Sequence, residues 1–294
     1  MLHPMTPSLH SPARTYELGG TTTVPRLGFG AMQLPGRWNG PAVDHATAVA
    51  VARRAVELGA VHIDTAAFYF SKTNRANRVL RDALHPYPGV TLATKVGPLR
   101  TPTGEMYAEA APDQLRPAVE QNLRELGVDV LDLVYLRVGR LGAAVAEPLG
   151  DRFAVLAELR EEGLIRHLGV SNVTHEQFAE ARTIAPVAAV QNRFGVLDQE
   201  HSALVDECAD AGIAFMPFFA LGGGHTTLLG DNLREVAERH SATVFQVAVA
   251  WGLARSPSIV QIPGTSSLAH LEENMAAAQL ILDEDDMALL RTTP

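Results

Sequence analysis

Apolar residues recur along the chain in two alternating patterns. Short runs, at 26–30, 61–64, 91–95, 130–136, 167–171, 188–191, 214–218 and 259–262, are apolar at most positions, as in parallel strands covered on both faces. Between them lie longer stretches with helical periodicity, at 44–58, 74–84, 112–126, 151–162, 174–184, 201–211, 232–240 with 243–255, and 267–277. Eight strand–helix alternations in about 250 residues predict an α/β fold of the (β/α)8 barrel type and not an open doubly wound sheet. Thr15 to Leu18 and Thr22 to Val24 flank Gly19-Gly20, predicting an N-terminal β-hairpin over the barrel's bottom, and 282–291 reads as a C-terminal helix.

Capping chemistry agrees with these boundaries. Thr174 with Gln177 and Thr243 with Gln246 form Ser/Thr-x-x-Gln capping boxes. Gly59, Gly127 and Gly163 sit just past helix ends, where a left-handed residue is wanted. Pro117 conflicts with the third helix, which is expected to start late or kink there.

Composition narrows the class. The 294 residues are 47% hydrophobic and 19% charged, too apolar for a disordered chain. With no low-complexity linker, a tail at 1–14 is expected to precede one domain at 15–294. The tail lacks the apolar core of a signal peptide. The richest apolar run, 244–254, is interrupted by Gln246, so no membrane span is expected. A net charge of −9 without a Lys/Arg cluster argues against a nucleic-acid partner. The single Cys208 fits a reducing, cytoplasmic compartment; sharing a helical face with Leu204 and Ala211, it reads as an inert packed side chain. Nothing here fixes an oligomeric state. The scattered histidines carry no metal-ligand spacing, so no metal is expected.

In a barrel of this kind, chemistry gathers at the carboxyl ends of the strands. There the chain places Asp64 and Tyr69, Lys95, Arg137, Ser171-Asn172 and Gln191. The charges admit a purely structural reading, an ion-pair network at the rim with Asp64 neutralising Lys95 or Arg137. They also admit a chemical one. A buried ammonium beside a phenol favours phenolate and is expected to lower the pKa of Tyr69 from about 10 towards neutrality. Asp64 would keep Lys95 charged and oriented, leaving Tyr69 to exchange a proton with a carbonyl oxygen.

At these residues the chain resembles the aldo-keto reductase superfamily. The resemblance is carried by His62-Ile63-Asp64-Thr65-Ala66 with Tyr69, Ala93-Thr94-Lys95, Leu131-Asp132-Leu133-Val134, Gly169-Val170-Ser171-Asn172 and Val190-Gln191-Asn192. It implies a cofactor extended across the barrel's carboxyl face and hydride transfer to a small aldehyde or ketone. Tyr69 would be the general acid, supported by Lys95 and Asp64. The fourth position, usually histidine, is Arg137, which cannot shuttle a proton but can donate hydrogen bonds to a carbonyl oxygen or hold an anionic group. Pro217-Phe218-Phe219, Leu221-Gly222-Gly223 and Ile262-Pro263-Gly264-Thr265-Ser266-Ser267 resemble the bacterial pyridoxal-reductase branch, which also carries arginine there. Phe70-Ser71-Lys72 departs from that branch's Gly-Pro turn beside the substrate mouth. Pyridoxal is thus one substrate candidate. A biosynthetic ketoreductase of a natural-product ketone and a cofactor-bound sensor with weak reductase activity are the alternatives.

No Gly-x-Gly-x-x-Gly follows a strand, which argues against a Rossmann cradle. The barrel alternative is phosphate binding by the loops after strands 7 and 8. There lie Ala220, Leu221, Gly222 and Gly223, then Gly264, Thr265 and Ser266, although either segment alone also reads as an ordinary loop. By resemblance, Ser171, Asn172 and Gln191 hold the nicotinamide carboxamide and Asp64 borders it. Gly30, Ala31 and Met32 join the cofactor site, and Glu273 and Asn274 lie near the adenine. Phe218 stacks on the nicotinamide by resemblance, or is a plain barrel aromatic. Gly264 and His270 stand where many relatives grip the 2′-phosphate with Lys and Arg. The branch resemblance implies NADPH/NADP, with NADH less favoured. Phe68 and Phe70 are expected to border the substrate pocket, and Trp38 either lines it or caps the barrel rim.

Overall fold

The computed structural model describes residues 14–36, 40, 42–139, 147–222 and 230–291. The expected tail, apart from Arg14, and Trp38 and Gly223 lie outside these residues.

Strands β1 (Thr15–Leu18) and β2 (Thr22–Pro25) form an antiparallel hairpin. Then follow β3 (Phe29–Gly30), α1 (His45–Glu57), β4 (His62–Asp64), α2 (Ala76–Leu84) and β5 (Thr91–Val96). A second antiparallel hairpin, β6 (Pro98–Arg100) with β7 (Met106–Glu109), interrupts the alternation before α3 (Pro112–Leu126). The alternation resumes with β8 (Leu131–Arg137), α4 (Gly150–Glu161), β9 (Ile165–Ser171), α5 (His175–Ile184), β10 (Val187–Gln191), α6 (Ser202–Asp210) and β11 (Ala214–Phe215). Helices α7 (Asp231–Arg239), α8 (Val244–Arg255), α9 (Leu268–Ala276) and α10 (Glu284–Arg291) complete the chain.

Seven parallel strands pair in the order β11, β10, β9, β8, β5, β4, β3. The eighth staves the ring through single bridges, Phe215 to Ile259 on one side and Leu27 to Gln261 on the other. The arrangement is a (β/α)8 barrel. Regular pairing in the seventh strand stops at Phe215, earlier than the run 214–218 implied, because Pro217 follows and Phe219 turns to a φ of +60°.

Period-two alternation sorts the side chains. Leu92, Val96, Val134, Leu136 and Ile63 pack outward against the helices. Ala93, Leu133, Tyr135, Ala189 and Met216 fill the barrel interior together with Leu18 and Val24 of the hairpin, which closes the amino end. Gly169 makes room for the Tyr135 ring, since a Cβ there would lie 2.5 Å from it.

Both capping boxes are formed, Thr174 accepting from the Gln177 N–H and Thr243 from the Gln246 N–H. Helix α3 corrects the expectation at Pro117: it starts early, at Pro112, and runs through. Pro112 suits the first helical position, and the Gln114 side chain accepts from the Ala111 N–H. Pro117 and Asp113 are both exposed, so water can satisfy the carbonyl that Pro117 leaves without an intrahelical donor.

Candidate active site

At the carboxyl ends of the strands, the alternation that fills the core points polar side chains into one mouth. Asp64 ends β4, Lys95 lies near the end of β5, Arg137 ends β8, Ser171 ends β9 and Gln191 ends β10; all five are buried. Lys95 Nζ donates to Asp64 Oδ1 at 2.5 Å and to the Thr65 carbonyl at 3.2 Å. Gln191 Nε2 donates to the other oxygen, Asp64 Oδ2, at 2.9 Å. Both carboxylate oxygens are therefore engaged, and it is Lys95, not Arg137, that Asp64 pairs with.

Tyr69 stands on the loop after β4, its ring centroid 5.0 Å from Lys95 Nζ. The loop folds on itself, Tyr69 N–H donating to the Ala66 carbonyl and Ala76 N–H to the Tyr69 carbonyl, each at 2.9 Å. Desolvation pushes the phenol above its ordinary value; Asp64 adds to this, while Lys95 and Arg137 pull it down. The net direction corrects the expected drop towards neutrality, because the cost of burying a phenolate exceeds what the two cations return. Burial acts to lower the pKa of Lys95, but the charge and hydrogen bond of Asp64, helped by Tyr69, more than offset it. The net effect is upward, so Lys95 is an ammonium and Tyr69 a neutral acid.

Arg137 Nη1 donates to Ser171 Oγ at 3.3 Å, and its guanidinium carbon lies 4.7 Å from the Phe218 ring centroid. Burial lowers its pKa, opposed by Tyr69 and Glu109, and arginine stays charged throughout. Phe218 thus carries a cation on its ring, and Phe219 meets it edge-on at 5.1 Å.

A cleft beside Tyr69 is lined by Gly30, Met32, Asp64, Gln191, Phe218, Ala220, Leu221 and Gly264. Its walls are backbone-thin: a Cβ on Gly30 would lie 2.7 Å from the Ile262 carbonyl oxygen, and one on Gly264 2.3 Å from the Gly30 oxygen. These two glycines let the first and eighth strands meet backbone to backbone at the cleft wall. Asn172 adopts a φ of +60° and ties its amide to the Val138 carbonyl at 3.0 Å. Thr265 Oγ1 accepts from Ser267 N–H at 3.1 Å, and Ser267 Oγ caps α9 through the His270 N–H. His270 is exposed, while Asn274 is buried. Glu273 accepts a 2.5 Å hydrogen bond from Thr243 Oγ1 at the start of α8. Ala31 is buried, and Gly222 and Ser266 continue the two loops that frame the cleft.

Phe68 meets Tyr69 edge-on at 5.1 Å. Phe70 instead sits between Arg75 and Arg100, 4.9 Å and 4.4 Å from its ring centroid, in an adjoining cleft of about 820 Å³ that Phe68 and Lys95 also line. Sequence reasoning missed two supports. Tyr135 lies beneath Lys95, 5.9 Å from Nζ; its place two residues before Arg137 on the same strand face was the available signal. Behind the site, Asn122 Oδ1 accepts from Thr94 Oγ1 at 2.6 Å and from Asn77 Nδ2 at 3.0 Å, and Thr65 Oγ1 donates to Asn77 Oδ1 at 2.8 Å. That buried network anchors the immediate neighbours of both Asp64 and Lys95.

Cys208 is buried on α6 with its thiol pushed up to about 12 by desolvation, an inert packing group. Among the described residues no group of His, Cys, Asp and Glu side chains is arranged to hold a metal ion, and no helix is long and apolar enough to cross a membrane.

Comparison with known proteins places this geometry. Over 283 residues the chain is 45% identical to pyridoxine 4-dehydrogenase of Escherichia coli (strain K12), covering 95% of this chain and 97% of the relative. An aldo/keto reductase from Klebsiella pneumoniae, crystallised with NADP and acetate, matches with a TM-score of 0.77 at 25% identity, over 94% of each chain. A thermostable aldo-keto reductase crystallised with the inhibitor epalrestat matches with a TM-score of 0.79 at 28% identity, over 94% of this chain and 98% of that one. Residues 26–293 match the Aldo/keto reductase family. The chain belongs to that family and is an oxidoreductase.

Proposed function

We propose that this oxidoreductase uses NADPH to reduce a small aromatic or heteroaromatic carbonyl compound, pyridoxal among its substrates, with Tyr69 as general acid. The observation that carries the reading is the 2.5 Å Lys95–Asp64 pair held 5.0 Å from the Tyr69 ring at the wall of the cleft. The substrate class draws on the likeness to pyridoxine 4-dehydrogenase, and the cofactor on the NADP bound by the Klebsiella relative.

The residues present suit that cofactor. Gly30 and Gly264 line the cleft without side chains and Gln191 brings an amide to it, while Ser171 and Asn172 stand at the carboxyl end of the neighbouring strand β9. Phe218, Ala220, Leu221, Gly222, Thr265 and Ser266 would complete the hold, with His270 and Asn274 further along α9. When bound, NADPH would supply the hydride for the carbonyl carbon. Tyr69 places its O–H on the carbonyl oxygen and gives up the proton as negative charge develops there. The Lys95 ammonium, kept charged by Asp64, stabilises the phenolate left behind, and Arg137 adds a second positive charge at the mouth. Alcohol oxidation runs the same steps backwards.

Because the acid must be protonated to act, and its pKa is held above 10.0, kcat/KM for reduction should stay flat from neutral pH to about pH 10 and fall beyond it. Tyr69→Phe should lower kcat for pyridoxal or 4-nitrobenzaldehyde about 100-fold or more, with NADPH affinity, read by fluorescence quenching, unchanged. Full turnover by that variant would remove Tyr69 from the role.

A further inference from the structure

The geometry points to Arg100 as a positioning residue that fixes the catalytic phenol by gripping the chain on both sides of it. The inference rests on the role proposed for Tyr69. Arg100 Nη1 donates to the carbonyl of Phe68, the residue before Tyr69, and its guanidinium lies 4.4 Å from the ring centroid of Phe70, the residue after. Arg100 Nε donates to the Gly104 carbonyl at 2.7 Å, so the guanidinium plane is set by its own hairpin turn. Arg75 covers Phe70 at 4.9 Å, and Phe68 passes the constraint to Tyr69 through their edge-on contact.

The origin of this grip matters. The hydrogen bond from Tyr69 N–H to Ala66 lies within the loop and the one from Ala76 N–H ties Tyr69 to the start of α2, so neither reaches β5, the strand that carries the amine. Arg100 sits five residues beyond Lys95, on the hairpin that continues β5, so one segment carries both the amine and the clamp. That hairpin is tied down at its base. Ala110 N–H donates to the Gly97 carbonyl at 2.6 Å, and Glu109 accepts from Gly139 N–H at 2.7 Å while pairing with Arg152. A Cβ at Gly97 would lie 2.2 Å from the Arg137 carbonyl oxygen, which shows how closely the hairpin's root is set against the barrel rim. The segment Phe70-Ser71-Lys72 supplies the ring that Arg100 needs. Phe68, Phe70 and Arg100 are all only partly buried, so their contacts add little to the core. Placement of a reacting group, by contrast, is sensitive to shifts of an ångström.

The test is a double-mutant cycle on the full chain, with NADPH and pyridoxal or 4-nitrobenzaldehyde. Arg100→Ala should lower kcat about 10- to 100-fold, leaving NADPH affinity and melting temperature near those of the parent. Arg100→Lys retains a donor for the Phe68 carbonyl but not the flat stacking surface, and should recover part of the loss. In a Tyr69→Phe background, Arg100→Ala should cost nothing further, because no phenol is left to place. Equal losses in both backgrounds, or a loss confined to KM or NADPH affinity, would overturn the inference. If Arg100→Ala does not fold, Phe70→Leu, which removes only the stacked ring, is put through the same cycle and judged by the same outcomes. Full turnover by Tyr69→Phe alone would refute the general-acid reading, whereas additive losses refute only the role of Arg100.

Discussion

His62 lies two residues before Asp64 on the same inward face of β4, fully buried, and neither ring nitrogen has a hydrogen-bond partner among the described residues. Desolvation lowers its pKa to about 4, Lys95 acting in the same direction and Asp64 against it. The folded protein therefore resists a proton that the unfolded chain accepts at pH 6.5. The stability this represents is fully present above pH 6.5 and is lost as pH falls from there to 4. Across that window the loss amounts to about 3 kcal/mol. His62→Leu should flatten this limb, and melting temperatures between pH 4 and 7 will show it; parallel acid profiles for both proteins would contradict it. At this scale the sequence showed which residue types met at the strand ends, since position in an alternating pattern decides that. It did not show the direction of the Tyr69 shift. That direction is a difference between desolvation and two cationic attractions, and it depends on packing depth, which no spacing encodes. Nor does spacing show that Glu273 accepts from Thr243 Oγ1 at the start of α8.

Elements were legible where local chemistry and periodicity agreed. Gly19 and Gly20 both take positive φ, 58° and 71°, as the tight turn between β1 and β2 requires, and His167 reaches Thr22 from the amino end of β9 at 3.0 Å. The hairpin's stake in stability is the burial of Leu18 and Val24 among the barrel's lower interior side chains. Leu18→Ala should cost about 2–5 kcal/mol in urea unfolding, yet leave kcat of the folded fraction untouched, because the site opens at the opposite end. A changed kcat would mean that the two ends are coupled. The β6–β7 hairpin was not legible: Pro98, Pro102 and Gly104 fall among polar residues with no strand alternation, and its strands are fixed by contacts with Gly97, Gly139 and Arg152. Pro117 misled for the complementary reason, since an exposed carbonyl can lose its intrahelical partner to water.

Across the whole molecule, the count of eight alternations announced a barrel, but not how the ring closes. The seam between the last and first strands is a short main-chain ladder, Gln261 N–H donating to the Arg26 carbonyl at 2.8 Å, Gly28 N–H to the Gln261 carbonyl at 2.8 Å and Gly30 N–H to the Pro263 carbonyl at 3.2 Å, and a side chain adds to it. Arg26 does so from within: Nε donates to the Ile259 carbonyl at 2.9 Å, and Nη2 to those of Leu253 and Ser256 at 2.8 and 2.5 Å. In the sequence Arg26 was only the polar start of an apolar run, because its acceptors lie more than 200 residues away. The seam continues directly into the cleft, where Gly30 and Gly264 face each other across it. A loosened seam should therefore affect both stability and cofactor binding. Arg26→Met fills similar space but leaves three buried carbonyls without that donor, at a cost of about 3 kcal/mol or more. Its urea midpoint should fall, and NADPH titration of the folded variant should show weaker binding, since the main-chain ladder alone would then set the separation of the facing backbones. An unchanged NADPH affinity alongside the lowered midpoint would show that the seam holds the barrel shut without shaping the site above it.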